Sequence, residues 1–74
     1  MIDEAGTLDA AVRSNVAARL AELDWTGAQL CAHTGIPAAR FNRLMSGAQS
    51  FPLQDLETIA DSLNVPWEHL IERK

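Results

Sequence analysis

The sequence holds a single cysteine, Cys31, so no internal disulfide can form, and a reducing cytoplasm suits such a chain. It has no long apolar run. Its opening residues, Met1-Ile2-Asp3-Glu4, are acidic and lead into no hydrophobic stretch, which argues against a signal peptide and against a membrane span. A glycine-rich phosphate loop, a carboxylate pair placed for acid-base work and a serine elbow are all absent, so an enzymatic reading has no residues to stand on. Cys31 and His33 stand two residues apart on a segment of helical character, where they point to different faces, and no further ligands lie at suitable spacing. No catalytic residue, metal or cofactor is therefore expected. Cys31 reads as a small core residue, and His33 and His69 as exposed polar ones. Basic residues are also scarce, six Lys and Arg against ten Asp and Glu, for a formal net charge of −4. Affinity for nucleic acid comes largely from cations that neutralise phosphates, so the total counts against such a partner.

The distribution of charge points the other way. Residues 1–24 set five acids against Arg13 and Arg19, and residues 55–74 set five against Arg73 and Lys74, so each flank carries −3. Residues 25–54 contain no acid and carry Arg40 and Arg43, a local +2, with His33 as a titratable extra. Either burial or a polyanionic partner accounts for such an acid-free centre.

Seventy-four residues permit one domain, at a size where a chain that leaves roughly 40% of its unfolded surface exposed needs a compact, mostly helical core. The expected organisation is a flexible N-terminal lead over residues 1–8 and a single domain over 9–74. From Asp9 to Leu23, the residues Val12, Val16, Leu20 and Leu23 recur at helical spacing, with Ala17 and Ala21 extending the stripe and Arg13, Arg19 and Glu22 solvated beside it. Trp25 seals the junction with a second helix, Thr26–Thr34, which Thr26 caps and in which Leu30 points inward with Ala28, Cys31 and Ala32. Gly35 supplies a left-handed turn, and Pro37 is pre-set for the first position of a third helix that runs to Ser46 and closes at Gly47.

At 100° per residue, Phe41, Leu44 and Met45 share one face of that third helix, while Ala39, Asn42, Arg43 and Ser46 share the other, with Arg40 at its border. After the loop Ala48–Ser50 and Pro52, a fourth helix carries Leu53, Leu56, Ile59, Ala60 and Leu63 as its apolar stripe, with Gln54, Asp55, Glu57 and Asp61 mostly outside it. Asn64 suits a left-handed end, and Pro66 opens a short fifth helix to about Glu72, with Leu70 packed inside. So short a helix cannot bury Val65, Trp67, Leu70 and Ile71 together, which makes Trp67 and Ile71 candidates for self-association.

Over about residues 12–71 the chain resembles the phage repressor and Cro family, the lambda-repressor-like or xenobiotic-response-element type of helix-turn-helix. The resemblance is carried by Leu30-Cys31, Gly35-Ile36, Phe41, Leu44, Gly47, Pro52, Leu56, Ile59-Ala60, Leu63, Val65 and Leu70. It implies an all-α, compact five-helix domain with the helix-turn-helix at its centre, and a homodimer bound to a palindromic double-stranded DNA operator through the third helix. The family's base-reading positions fall on Ala38, Ala39 and Arg43, and its phosphate positions on Thr26, Gly27 and Ser46. Arg40 and Asn42 flank them as contacts to base edges or phosphates.

The chain also departs from the family pattern. Many members carry glutamine where Ala38 and Ala39 stand, so direct readout here rests on Arg43, on methyl contacts and on DNA shape. Many pair an arginine of the first helix with a glutamate at the end of the third, where this chain has the apolar Leu20 and Met45. The loop Ala48-Gln49-Ser50 lacks the family's frequent basic residues. The expected function is a sequence-specific transcriptional regulator, a repressor or Cro-like protein in a bacterial cytoplasm with no membrane association. The alternative, favoured by the acidic flanks, is a protein-interaction module of the same fold, an anti-repressor or antitoxin-type partner.

Overall fold

The computed structural model describes residues 4–72, and the described residues contain five helices and no strand: α1 Glu4–Leu23, α2 Gly27–Thr34, α3 Ala38–Ser46, α4 Leu53–Ser62 and α5 Trp67–Leu70. α1 begins five residues before the expected Asp9. The apolar spacing marks the helix only from Val12 onward, whereas Glu4, Ala5, Leu8, Ala10 and Ala11 favour it by helix propensity. Residues 1–3 of the expected lead lie outside the described residues.

All three prolines stand at N-caps rather than at first helical positions. Pro37, Pro52 and Pro66 hold φ of −60° to −67° and ψ of 142° to 150°, an extended conformation that proline adopts without strain, while their carbonyls accept the first helical bonds from Phe41, Leu56 and His69. Each of α1 to α4 stops at a left-handed residue: Asp24 (φ 57°), Gly35 (φ 78°), Gly47 (φ 88°) and Asn64 (φ 59°). After α1 and α4 the bonds Trp25 N–H to Leu20 C=O (2.9 Å) and Val65 N–H to Ala60 C=O (3.0 Å) reach back five residues, and Asp24 and Asn64 reach back three, which is the Schellman closure.

Val12, Val16, Leu20, Leu30, Ile36, Phe41, Leu56, Ile59, Ala60, Leu63 and Leu70 form the core, with Trp25, Met45, Phe51, Val65 and Ile71 packed half-buried against it. Each fully buried Leu, Ile or Val is worth roughly 1.5–3 kcal/mol over exposure. Ala17, Ala21, Ala28 and Ala32 are exposed, so the buried stripes of α1 and α2 are narrower than their spacing predicts. Leu53 is the larger departure: it is 59% exposed and lines a surface groove at the start of α4 instead of entering the core.

Polar residues of α1 hold the ends of other elements. Asn15, only 9% exposed, donates from Nδ2 to the Leu70 and Glu72 carbonyls at 2.8 and 2.7 Å. Arg19, one turn on, donates from Nε to the Leu63 carbonyl at 3.1 Å, and Asp9 Oδ1 accepts from the Phe51 N–H at 3.3 Å. Arg19 is therefore half-buried at the end of α4 rather than solvated, and its 3.5 Å contact with Glu22 is secondary. A four-residue helix cannot satisfy its own carbonyls, so α5 depends on Asn15 for its polar closure and on Leu70 for its anchor.

Replacing Asn15 with Ala strands two carbonyls and is expected to lower unfolding stability by about 1–3 kcal/mol in a urea titration. A change within about 0.5 kcal/mol, the range of ordinary surface substitutions, would show that water serves those carbonyls as well.

Candidate nucleic-acid interface

The site is built on α2, the turn and α3. Thr26 caps α2 in a reciprocal pair: its Oγ1 accepts from the Gln29 N–H at 3.1 Å, and Gln29 Oε1 accepts from the Thr26 N–H at 2.7 Å. The threonine hydroxyl keeps its own proton free to donate outward. Gly27 follows, and a Cβ there would stand 3.0 Å from Phe41 Cε2. The start of α2 thus lies against the buried face of α3 at a distance only glycine accommodates with ease.

At the turn, the Thr34 hydroxyl donates to the Leu30 carbonyl (2.9 Å) and accepts from the Ile36 N–H (3.2 Å), while the Gly35 N–H bonds the Cys31 carbonyl at 2.8 Å. Ile36 is buried, so the turn is pinned to the core on its inner side. His33 is exposed as expected, with its ring stacked on half-buried Trp25 at a centroid distance of 4.6 Å and an interplanar angle of 10°.

α3 buries Phe41 and Leu44 and leaves Ala38, Ala39, Asn42, Arg43 and Ser46 exposed on the side away from the core. Arg43 is fastened to the segment that follows it. Its carbonyl accepts from the N–H groups of Gly47, Ala48 (3.0 Å) and Gln49 (3.3 Å) and from Ser46 Oγ (3.2 Å), and its Nε donates to Gln49 Oε1 at 3.3 Å. The Ser46 hydroxyl also accepts from the Ala48 N–H at 3.4 Å. Arg40 lies at the border of the exposed face as its position predicts, but its Nη2 is engaged with Asp55 Oδ1 of α4 at 3.1 Å. Asp55 itself is buried, at 6% exposure, against the expectation that it lies outside the apolar stripe.

One further cation belongs to the site. The side chain of Arg13 packs over Gly47, its guanidinium carbon 3.6 Å from where a Cβ on that glycine would stand. A positive group at the carboxyl end of α3 is favoured by the helix dipole. α1 alone marks Arg13 as lying off the buried stripe; what brings it to α3 is the packing of α1 along the loop after that helix, seen also in the Asp9–Phe51 bond. Trp67 (37% exposed) and half-buried Ile71 come together elsewhere, in a groove of about 350 Å³ shared with Val12, Phe51, Leu53 and Leu56 and edged by Asp9 and Ser50.

Among the described residues, no three of His, Cys, Asp and Glu gather where a metal ion would sit, and no helix is long and apolar enough to cross a membrane. What the arrangement offers is a short, rigidly held helix face with small side chains at its start and an anchored arginine near its end. No curated protein and no solved structure matches the chain. A family model described as the Cro/C1-type helix-turn-helix DNA-binding domain matches residues 15–74, which include every position of α2, the turn and α3. The chain belongs to the Cro/C1-type helix-turn-helix DNA-binding family.

Proposed function

We propose that this DNA-binding domain is a sequence-specific transcriptional regulator, repressor or Cro-like, that inserts α3 into the major groove of a palindromic operator as a homodimer in a bacterial cytoplasm. The observation that carries the reading is the exposed face of α3, which bears no acid and presents Arg43 clear of the core. An arginine in the major groove bonds guanine O6 and N7 together, and an alanine methyl rests against a thymine methyl. Arg43 reads bases in this scheme, with Ala38 and Ala39 allowing the amino end of α3 a close approach.

Thr26 with the free N–H groups beside Gly27, and Asn42 and Ser46 along α3, supply phosphate or flanking contacts. Arg13 adds a cation at the far end of α3. The count remains small, so a single subunit binds weakly and with a shallow dependence on salt. Two copies, with their α3 helices about 34 Å apart on successive major grooves, supply the affinity that one lacks. The groove at Leu53, Trp67 and Ile71 is where we place the contact between copies, since its lining is mostly apolar, Asp9 and Ser50 being its polar members.

Selection from a random duplex pool at two salt concentrations tests the reading, with enrichment of a two-fold symmetric site expected. On that site Arg43→Ala is expected to cost roughly 1–3 kcal/mol and to relax preference at one base pair of each half-site. Failure of the folded protein to enrich any sequence, at concentrations that permit dimers, would assign the domain to a protein partner instead, the reading that its acidic flanks favour.

Leu53→Lys places a charge on a residue outside the core and is expected to shift sedimentation equilibrium toward monomer while leaving the unfolding midpoint nearly unchanged. An unaltered association constant would move the contact between copies elsewhere.

A further inference from the structure

Among the described residues, Arg40 and Asp55 form the ion pair that joins α3 to another helix, and it is an incomplete one. Asp55 lies in the first turn of α4 with its side chain 9% exposed, and Oδ1 accepts a single bond from Arg40 Nη2 at 3.1 Å. Asp55 Oδ2 and Arg40 Nε are both buried without a partner. An arginine and a carboxylate meeting fork to fork would have used both atoms. A part-buried pair with orphaned polar atoms recovers little of its desolvation cost, so stability is a poor account of its presence.

Its geometric consequence is clearer. The Arg40 side chain is 39% exposed and stands at the border of the face that carries Ala39, Asn42 and Arg43, where a released guanidinium would swing toward a DNA backbone. On the reading of α3 given above, we propose that Asp55 is a positioning residue that keeps Arg40 out of the phosphate contacts. The domain then neutralises one phosphate fewer per subunit on any DNA, and discrimination falls to Arg43 and to the fit of Ala38 and Ala39. Withholding a cation from the backbone weakens binding about uniformly across sequences, so what distinguishes one site from another is left to the groove contacts.

Salt titrations of binding to a duplex without the preferred site test this, with wild type, Asp55→Asn, Arg40→Gln and the double variant compared. Asp55→Asn is expected to steepen the plot of log affinity against log salt by about 0.9 per subunit, so that affinity falls roughly three- to fourfold more between 50 and 200 mM salt. Arg40→Gln should leave the wild-type slope unchanged, and the double variant should return to it. A merely structural role for Asp55 would alter the unfolding midpoint without this pattern of slopes. Equal slopes for folded Asp55→Asn and wild type would overturn the inference. If Asp55→Asn does not fold, Arg40→Gln alone decides, since a slope about 0.9 shallower than wild type would show Arg40 already on a phosphate. Absence of duplex binding by wild type at low salt would overturn the DNA reading and this inference with it, whereas binding with equal slopes overturns this inference alone.

Discussion

A helix leaves its first four N–H groups and its last four carbonyls unpaired, and in helices of four to ten residues these are a large share of the backbone. Every helix after α1 in this protein is that short. The structure therefore depends on finding partners for helix ends, and α1 supplies many of them. Asn15 and Arg19, one turn apart, hold the carboxyl ends of α5 and α4, and Asp9 holds the start of the segment leading into α4. Between these polar residues, Val12, Val16 and Leu20 enter the core. One helix thus sets both the apolar packing and the ends of the elements packed on it.

The same constraint shapes the binding face. α2 closes its start with the Thr26–Gln29 pair and its end with Gly35, and α3 closes on Gly47 with several donors converging on the Arg43 carbonyl. Because the bonds that end α3 also fix the backbone of Arg43, the exposed arginine of that helix sits on one of its better held stretches. Side chains placed on a rigid element lose less freedom on binding, and that favours a face as sparse as this one.

Local patterns made most of the fold legible in the sequence. Helical spacing identified Val12, Val16, Leu20, Leu30, Phe41, Leu44, Leu56, Ile59, Leu63 and Leu70 as buried, and residue type marked Gly35 and Asn64 as left-handed ends and Gly47 as a stop, because these depend on neighbours within one or two turns. The rotation of 100° per residue placed Ala39, Asn42, Arg43 and Ser46 on an exposed face for the same reason. Features set by distant partners were not legible. Arg19 and Asp55 are polar residues off the apolar stripe by spacing, yet each is drawn inward by a group 44 or 15 residues away. Leu53 fits the stripe of α4 and is nevertheless exposed, since it lies at the very start of that helix, on the rim of a surface groove. Arg13 reaches α3 only through the packing of α1 against the loop that follows.

Net charge bears on how such a domain works. At −4 overall, with an acid-free central segment, the molecule presents DNA with a favourable face on an unfavourable body. The body slows encounter and weakens attachment to arbitrary sequence, because both depend on long-range attraction that counterions screen over about 8–10 Å. Contacts made inside the groove are shorter than that distance and add discrimination on top of that attraction. On the reading proposed here, the charge imbalance lowers operator and non-specific affinity alike, and the ratio of the two, which determines occupancy in a cell, rests on the groove contacts of α3. Arg40, held by Asp55, extends the same economy of charge to α3 itself.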